Sequence, residues 1–347
     1  MSVIHTKTTE LLSRLIKSPI ISIDRIGKGG NSKVYRVTAA NDVDYAAKFY
    51  FQRTADGLDR MNIEFSCLTF LWENGLRSIP RPLIADTDEQ IAIYEYISGS
   101  EIGPADVTEK DIGAVVTFLD RLRTLAARDG SANFPPASEA CFSIEALIAN
   151  IRSRLLLLEK LPLNGPSYEE LGHFLREEFV PVLEMVADWA KSKIGNNFSA
   201  VLPAEFRTLS PSDYGFHNAV RQQNGEIVFV DFEYFGWDDP AKMISDFLLH
   251  PSPSMALGDD LKRLYVEAIL KSFRSDEGLR KRLETVYPLL GLKWCTILLN
   301  EFIPENLQRR NFAADSEVET NKVHKLQLAK AHKMLKNVLK KQHQFPY

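Results

Sequence analysis

The sequence predicts an α+β fold in two lobes, and three observations carry that expectation. β-rich runs broken by glycine and polar turns, with one helix among them, fill the first hundred residues. From Val107 onward apolar residues recur every three or four positions, as on one face of a helix. One short β-like island, Asn218 to Phe232, interrupts that helical texture. With 347 residues the chain suits a large fold split into lobes, here 1–98 (small, β-rich) and 99–347 (larger, mainly helical).

Taken in order, residues 1–19 form an amphipathic surface helix whose basic residues alternate with polar ones, which does not fit a signal peptide. Residues 21–50 contain three β-rich runs, the second at Val34 to Thr38 and the third at Tyr45 to Phe51, and read as an antiparallel meander. A helix follows from Leu58 to Asn74 with Met61, Phe65, Leu68 and Trp72 on one face, closed by Asn74-Gly75. Leu83 to Ala85 and Ile91 to Ile97 are the next two strands. Helices are expected at Ile112 to Leu122, Ile144 to Leu158, Tyr168 to Lys193, Asp259 to Arg274 and Leu279 to Asn300, and Asn224-Gly225 marks a hairpin inside the island. The tail from Val323 to Lys341 reads as a lysine-rich amphipathic helix docked on the surface.

Composition narrows the function classes. Hydrophobic residues make up 45% and charged residues 25%, which excludes a disordered or fibrous chain. Against 42 Lys and Arg stand 46 Asp and Glu, so a net charge of −4 provides no global field for nucleic acid or an acidic membrane. Cys67, Cys141 and Cys295 are far apart, without a CxxC pair, and argue against a disulfide framework or a zinc site. No run approaches the ~18 apolar residues of a transmembrane helix. A soluble, cytoplasmic protein is expected, with no nucleic-acid partner and no membrane insertion.

The chemistry-bearing residues fall into three groups. Gly27, Gly29 and Gly30, followed by Asn31 and Ser32, sit between two strands, where glycines let backbone amides approach phosphate oxygens. The same cluster also reads as a plain hairpin turn. Lys48 lies in the apolar Ala46-Ala47-Lys48-Phe49, where an amine is costly unless it meets an anion or sits on an edge strand. Glu64, on the following helix, is positioned either to pair with it or to face solvent. The strongest signal is Leu209 to Asn218 followed by Val228-Phe229-Val230-Asp231-Phe232-Glu233. There Asp213 provides a proton acceptor, and Asn218 with Asp231 provides the hard oxygen donors that Mg²⁺ prefers.

In order and spacing, the glycine loop, Lys48, Glu64, Asp213 with Asn218, and Asp231-Phe232-Glu233 resemble the aminoglycoside phosphotransferase and choline/ethanolamine kinase superfamily, a branch of the protein-kinase-like fold. The Gly236-Trp237-Asp238-Asp239-Pro240 segment with Asp246 adds to the resemblance, which covers the chain from Ile21 to the C-terminal helix. It implies a bilobal kinase-like fold, ATP and Mg²⁺ as cofactors, adenine held by the backbone of Glu95 and Ile97, and phosphorylation of a hydroxyl on an aminoglycoside-, choline/ethanolamine- or sugar-like small molecule. A protein kinase is disfavoured, since no Arg precedes Asp213 and no Asp-Phe-Gly or Ala-Pro-Glu segment follows. The competing class is a non-catalytic nucleotide-binding scaffold.

The chain departs from the family pattern twice: Pro211 stands where a histidine is usual, and His217 precedes the asparagine where glycine is frequent. His217 reads as a structural histidine ahead of a substrate contact. Glu233, Asp238, Asp239 and Asp246, beside Tyr214, Phe216, Tyr234, Phe235 and Trp237, suit a cationic acceptor. Their alternative role is to hold the following helix and pack between helices.

Overall fold

The computed structural model describes residues 3–27, 31–51, 59–162, 164–314, 319–341 and 344–347. Along the chain run α1 (Val3–Ile16), β1 (Ile20–Ile26), β2 (Ser32–Ala39), β3 (Asp44–Tyr50), α2 (Arg60–Glu73), β4 (Pro82–Asp86), β5 (Ile91–Glu95) and β6 (Ser100–Glu101). Next come α3 (Glu109–Leu125), α4 (Ile144–Glu159), α5 (Pro166–His173), α6 (Val180–Ile194), β7 (Thr208–Ser210), β8 (Ala219–Arg221), β9 (Ile227–Phe229) and β10 (Gly236–Asp238). The remaining helices are α7 (Pro240–Leu249), α8 (Asp259–Ser272), α9 (Leu279–Leu298), α10 (Pro304–Ala314) and α11 (Thr320–Lys341).

The chain forms two compact units. The first joins Met1–Glu101 with Ala219–Glu233 and Gln308–Glu317; the second comprises Ile102–Asn218, Tyr234–Leu307 and Val318–Tyr347. The first unit is thus discontinuous. A division by sequence order at Ser98 assigns its hairpin and the end of α10 to the helical part.

In the first unit five antiparallel strands run in the order β1-β2-β3-β5-β4. Successive strand residues point to opposite faces. Ala47 therefore joins Leu12 of α1 in a core with Val37, Ile91 and Ile93, while Lys48 points to the other face, toward Glu64 of α2. Because β3 lies inside the sheet, paired on both sides, Lys48 is buried rather than exposed on an edge. Asp59 caps α2 by accepting from the Asn62 amide at 3.1 Å. The buried stripe of α2 is Met61, Glu64, Cys67, Leu68 and Leu71, so a carboxylate occupies the inner position beside the expected Phe65.

The second unit is built around α9, against which α4, α6, α7 and α11 pack. α11 buries Leu328, Ala331, Leu335 and Val338 while its lysines stay outside the buried set. The single helix expected over 168–193 is instead α5, a wide π turn at Phe174–Phe179, and α6. Pro181, at the start of α6, has no N–H to donate, and its ring crowds the preceding turn, so the ladder widens there. β7 pairs with β10, Ser210 opposite Gly236, and this pair delivers both the 211–213 loop and the start of α7. Gly236 is required by close approach, since a Cβ there would lie 2.3 Å from the Pro135 carbonyl oxygen. Among the described residues no single helix is long and apolar enough to cross a membrane.

Two glycines in helices give opposite expectations. A Cβ on Gly113 of α3 meets nothing within 4 Å, so Gly113→Ala should stabilise by about 0.5 to 1 kcal/mol. At Gly291 the Cβ would lie 2.4 Å from Val338 Cγ2, where overpacking of about 1 to 3 kcal/mol outweighs the helix-propensity gain. Urea unfolding should show Gly291→Ala destabilised and largely restored in the double variant with Val338→Ala.

Candidate functional site

The first unit assembles a buried ion cluster around Lys48. Its ammonium donates to Glu64 Oε2 at 2.5 Å and to Asp231 Oδ1 at 2.6 Å, with Glu233 Oε2 at 3.6 Å. Glu64 is itself fixed on both oxygens: Oε2 also accepts from the Tyr50 hydroxyl at 2.8 Å, and Oε1 accepts from the Phe232 amide at 3.2 Å. The β8–β9 hairpin, turning through Gly225 at φ +82°, delivers the 231–233 segment, and the Phe229 amide ties it to the Ser78 carbonyl at 2.9 Å. Asp231 adopts φ +70°, a left-handed conformation that a non-glycine residue holds only at a cost of ~1 to 3 kcal/mol and that concentrates at functional sites.

Among the described residues, acids outnumber bases in this cluster. Glu64, Asp231 and Glu233 face two bases, Lys48 and Arg60, whose Nε lies 3.7 Å from Glu233 Oε1. Burial alone would lower the Lys48 ammonium, but Asp231, Glu64 and Glu233 outweigh it and hold its pKa well above the ordinary value. Glu64 is raised by burial, partly offset by Lys48. Glu233 is pushed up to about 7 by burial and by the Asp231 charge, and its buried Oε2 accepts no hydrogen bond. The Asp231 side chain is 36% exposed against 1% for Glu233, so solvent reaches the cluster at Asp231. One oxygen from each carboxylate lies within 4.8 Å of the others, a hard-donor set that fits Mg²⁺.

The remaining residues expected on this side lie in the same unit. Gly27 ends β1 at φ +75°, where glycine carries no Cβ penalty. Asn31 Nδ2 donates to Glu233 Oε1 at 2.6 Å, and Ser32 opens β2, buried. Gly29 and Gly30 lie outside the described residues. The Glu95 amide is engaged by the Arg81 carbonyl at 2.9 Å, and Ile97 follows β5, half-buried.

The second unit carries Asp213. Its Oδ1 accepts from His217 Nε2 at 2.9 Å and lies 3.3 Å from His250 Nε2, and Asn218 Nδ2 donates to the Asp213 carbonyl at 3.1 Å. Burial would raise this carboxyl, but the two histidine contacts hold it far below the carboxylate range. The imidazole of His250 is lowered by burial. Pro211 needs no histidine to hold its loop. The Ser212 amide donates to Ser210 Oγ at 3.0 Å, Ser212 Oγ donates to the Ser138 carbonyl at 3.0 Å, and Lys242 Nζ reaches Ser212 Oγ at 3.3 Å. Ser212 sits at φ +65°.

The acidic residues expected to meet a cationic acceptor are committed within the chain. Lys242, buried on α7, bonds Asp238 at 2.8 Å and Asp246 at 3.0 Å, and the Trp294 indole donates to the other oxygen of Asp246. Asp239 caps α7 through the Ala241 amide and pairs with Arg282 at 2.9 Å. Glu233 belongs to the Lys48 cluster. Tyr214, Phe216 and Phe235 are core residues, with Tyr214 bonded to Tyr265 and to the Met243 carbonyl. The helix-holding alternative is the observed one.

No family model matches the sequence, and no curated protein matches it. Solved structures do. A spectinomycin phosphotransferase in complex with ADP and spectinomycin superposes with a TM-score of 0.63 at 12% identity, covering 95% of this chain and 98% of its own. The choline kinase LicA from Streptococcus pneumoniae gives 0.61 at 16% identity over 97% and 100%. The gentamicin complex of APH(2″)-IIa gives 0.63 at 18% identity over 99% and 100%. The chain has the fold of the aminoglycoside phosphotransferases and choline kinases. Within this kinase-like fold, Lys48, Glu64 and Asp231 come together in the first unit as their spacing suggests, and Asp213, His217 and Asn218 come together in the second.

Sequence reasoning missed His250, which no local pattern marks, and Lys242. The latter was readable, because it stands four residues after Asp238 and four before Asp246, the spacing of ion pairs on a helix. It also missed Glu139, which accepts from Arg154 at 2.7 Å, Asn150 at 2.8 Å and Lys293 at 3.3 Å. Burial raises Glu139 less than Lys293 and Arg154 lower it, leaving it at about 2, whereas burial leaves Lys293 below its ordinary value. Three donors on Glu139 keep its carboxylate charged. A carboxylate depressed on folding contributes stability above its unfolded value near 4.5 and loses it as pH falls toward 2. Glu139→Gln should therefore destabilise at pH 7, with a gap to the natural chain that narrows steadily between pH 5 and pH 3 in urea unfolding.

Proposed function

We propose that the protein is an ATP-dependent phosphotransferase acting on a hydroxyl of a small molecule. The observation that carries this reading is the buried Lys48 ammonium on an interior strand, held by Glu64 and Asp231. An amine so placed is fixed in direction and strongly charged, which suits it to align nucleotide phosphates. Asp231, with Glu64 and Glu233 behind it, is the residue we assign to Mg²⁺. That ion would neutralise phosphate charge when bound. The glycine loop at Gly27, Gly29 and Gly30 with Asn31 and Ser32 is assigned to the phosphates, and the backbone at Glu95 and Ile97 to the base.

Asp213 is assigned to orient the acceptor hydroxyl and receive its proton. A carboxylate held so far below its usual range is a weak base, so alignment contributes more than full deprotonation. The neighbours of this fold include spectinomycin and choline phosphorylating proteins. For this chain the commitment of Asp238, Asp239 and Asp246 to Lys242 and Arg282 removes the carboxylates that would attract an amine, and favours a neutral hydroxylated acceptor.

Titration calorimetry should show Mg²⁺-dependent ATP binding that Asp231→Ala abolishes; full binding by that variant would remove Asp231 from the metal site. Asp213→Asn should lower turnover roughly 10²- to 10⁴-fold with ATP affinity nearly intact. The panel for ATP consumption is sugars and polyols beside aminoglycosides, choline and ethanolamine. Activity confined to the amines would refute the neutral acceptor, and ATP binding without turnover on any acceptor would favour the scaffold.

A further inference from the structure

We propose that His217 and His250 form a positioning pair for Asp213: each presents an Nε2–H to the same carboxylate oxygen, Oδ1, so that Oδ2 alone faces the acceptor hydroxyl. This rests on the reading of Asp213 as the group that orients that hydroxyl. The two nitrogens lie 2.9 and 3.3 Å from Oδ1, and among the described residues no side chain or amide bonds Oδ2. The imidazoles are stacked nearly parallel, centroids 3.7 Å apart at 11°, so two donors stand side by side on one oxygen.

The tautomer of His250 is fixed independently of Asp213. The Ser252 amide donates to its Nδ1 at 3.2 Å, which occupies that lone pair and leaves the proton on Nε2. The ring is further held by the edge-on indole of Trp294, 4.9 Å away at 84°, whose own N–H is bonded to Asp246 at 3.0 Å. His217 is seated at a different cost. Its Nδ1 is buried with no hydrogen-bond partner, an arrangement that destabilises the fold. A Cβ on the preceding Gly215, which sits at φ +149°, would lie 3.1 Å from that nitrogen and 2.6 Å from Met255 Sδ. The local backbone is thus shaped around the ring.

The same three side chains also have the spacing of a metal site, with one ligand atom of each within 4.8 Å of the others. A metal would need the Nε2 lone pair of His250, and that nitrogen carries the proton. Hydrogen bonding is therefore the reading the donors favour. It also has a chemical purpose, because a carboxylate pinned by one oxygen cannot rotate between two acceptor geometries, and small misplacements of a reacting group lower rates by large factors.

The test uses the full-length protein. His250→Leu should lower kcat by about 10- to 100-fold at unchanged ATP affinity, and His250→Gln, which keeps an N–H at similar reach, should recover most of it. Nitrogen-15 spectra of the natural protein should show His250 as the Nε2–H tautomer and a hydrogen-bonded Nε2–H on both rings, with those protons lost to exchange in Asp213→Ala. Wild-type kinetics for His250→Leu, beside an inactive Asp213→Asn, would overturn the pair while leaving the Asp213 assignment standing. An active Asp213→Asn would instead remove the assignment itself. An Nδ1–H tautomer for His250 would overturn the pair whether or not the leucine variant folds.

Discussion

Everything in the first unit is arranged around one constraint: the ammonium of Lys48 is out of water. A buried charge is tolerated only with partners and hydrogen bonds in place, and those partners come from segments far apart in sequence. Glu64 arrives on α2 and Asp231 on the exit of the β8–β9 hairpin, so the demand of one side chain draws residues 219–233 into the same compact unit as the first hundred. Removing one partner of such a set leaves the others uncompensated, at ~3 to 5 kcal/mol, whereas apolar replacement of a whole set is often neutral. The cluster is therefore poorly explained as a device for stability. The positive φ at Asp231, beside its solvent-facing carboxylate, is of the kind that concentrates at functional sites.

The second unit repeats the principle in a different form. Lys242 is buried against Asp238 and Asp246, and Arg282 bridges Asp239 to Asp276 at 2.6 Å. These pairs set the orientation of α7, and α7 in turn supports the loop of Asp213 through the contact of Lys242 with Ser212. Buried Lys242 has its pKa raised by the two aspartates, although burial opposes this, while Asp238 is pushed up to about 6 by burial despite Lys242. The geometry of the short loop that carries Asp213 is thus supported by ion pairs several residues away.

Much of this was legible in the sequence, and the failures have physical causes. The meander, α2 and most helices of the second unit could be read because their apolar periods are long. Lys48, Glu64 and Asp231 each had a plain structural alternative when taken alone, and only their order along the chain suggested that they meet, as they do in the ion cluster. The break at Phe174–Phe179 was hidden, since the apolar period continues across it and Pro181 alone signals the disruption. The acids after Asp231 were legible either as a ligand site or as supports of the following helix, and the ion pairs of Lys242 with Asp238, at the end of β10, and with Asp246, on α7, are those of the second reading. His250 was invisible, because its contact with Asp213 depends on packing between positions distant in sequence and no local pattern marks it.

That last case shows how the backbone and the side chain of Asp213 are held by different groups. A carboxylate is kept within a narrow range of directions by whatever donors packing brings to it. Here Pro211 cannot donate an amide or a ring nitrogen, while Ser210, Ser212 and Lys242 hold the backbone and two stacked imidazoles hold the carboxylate. The loop and the side chain are supported separately. The backbone conformation can then persist while the groups around Oδ1, including Trp294 behind His250, change. His217 lies in a short turn and His250 just past the end of α7, neither with a motif of its own, and this is why they are harder to read from sequence than Lys48, Glu64 and Asp231.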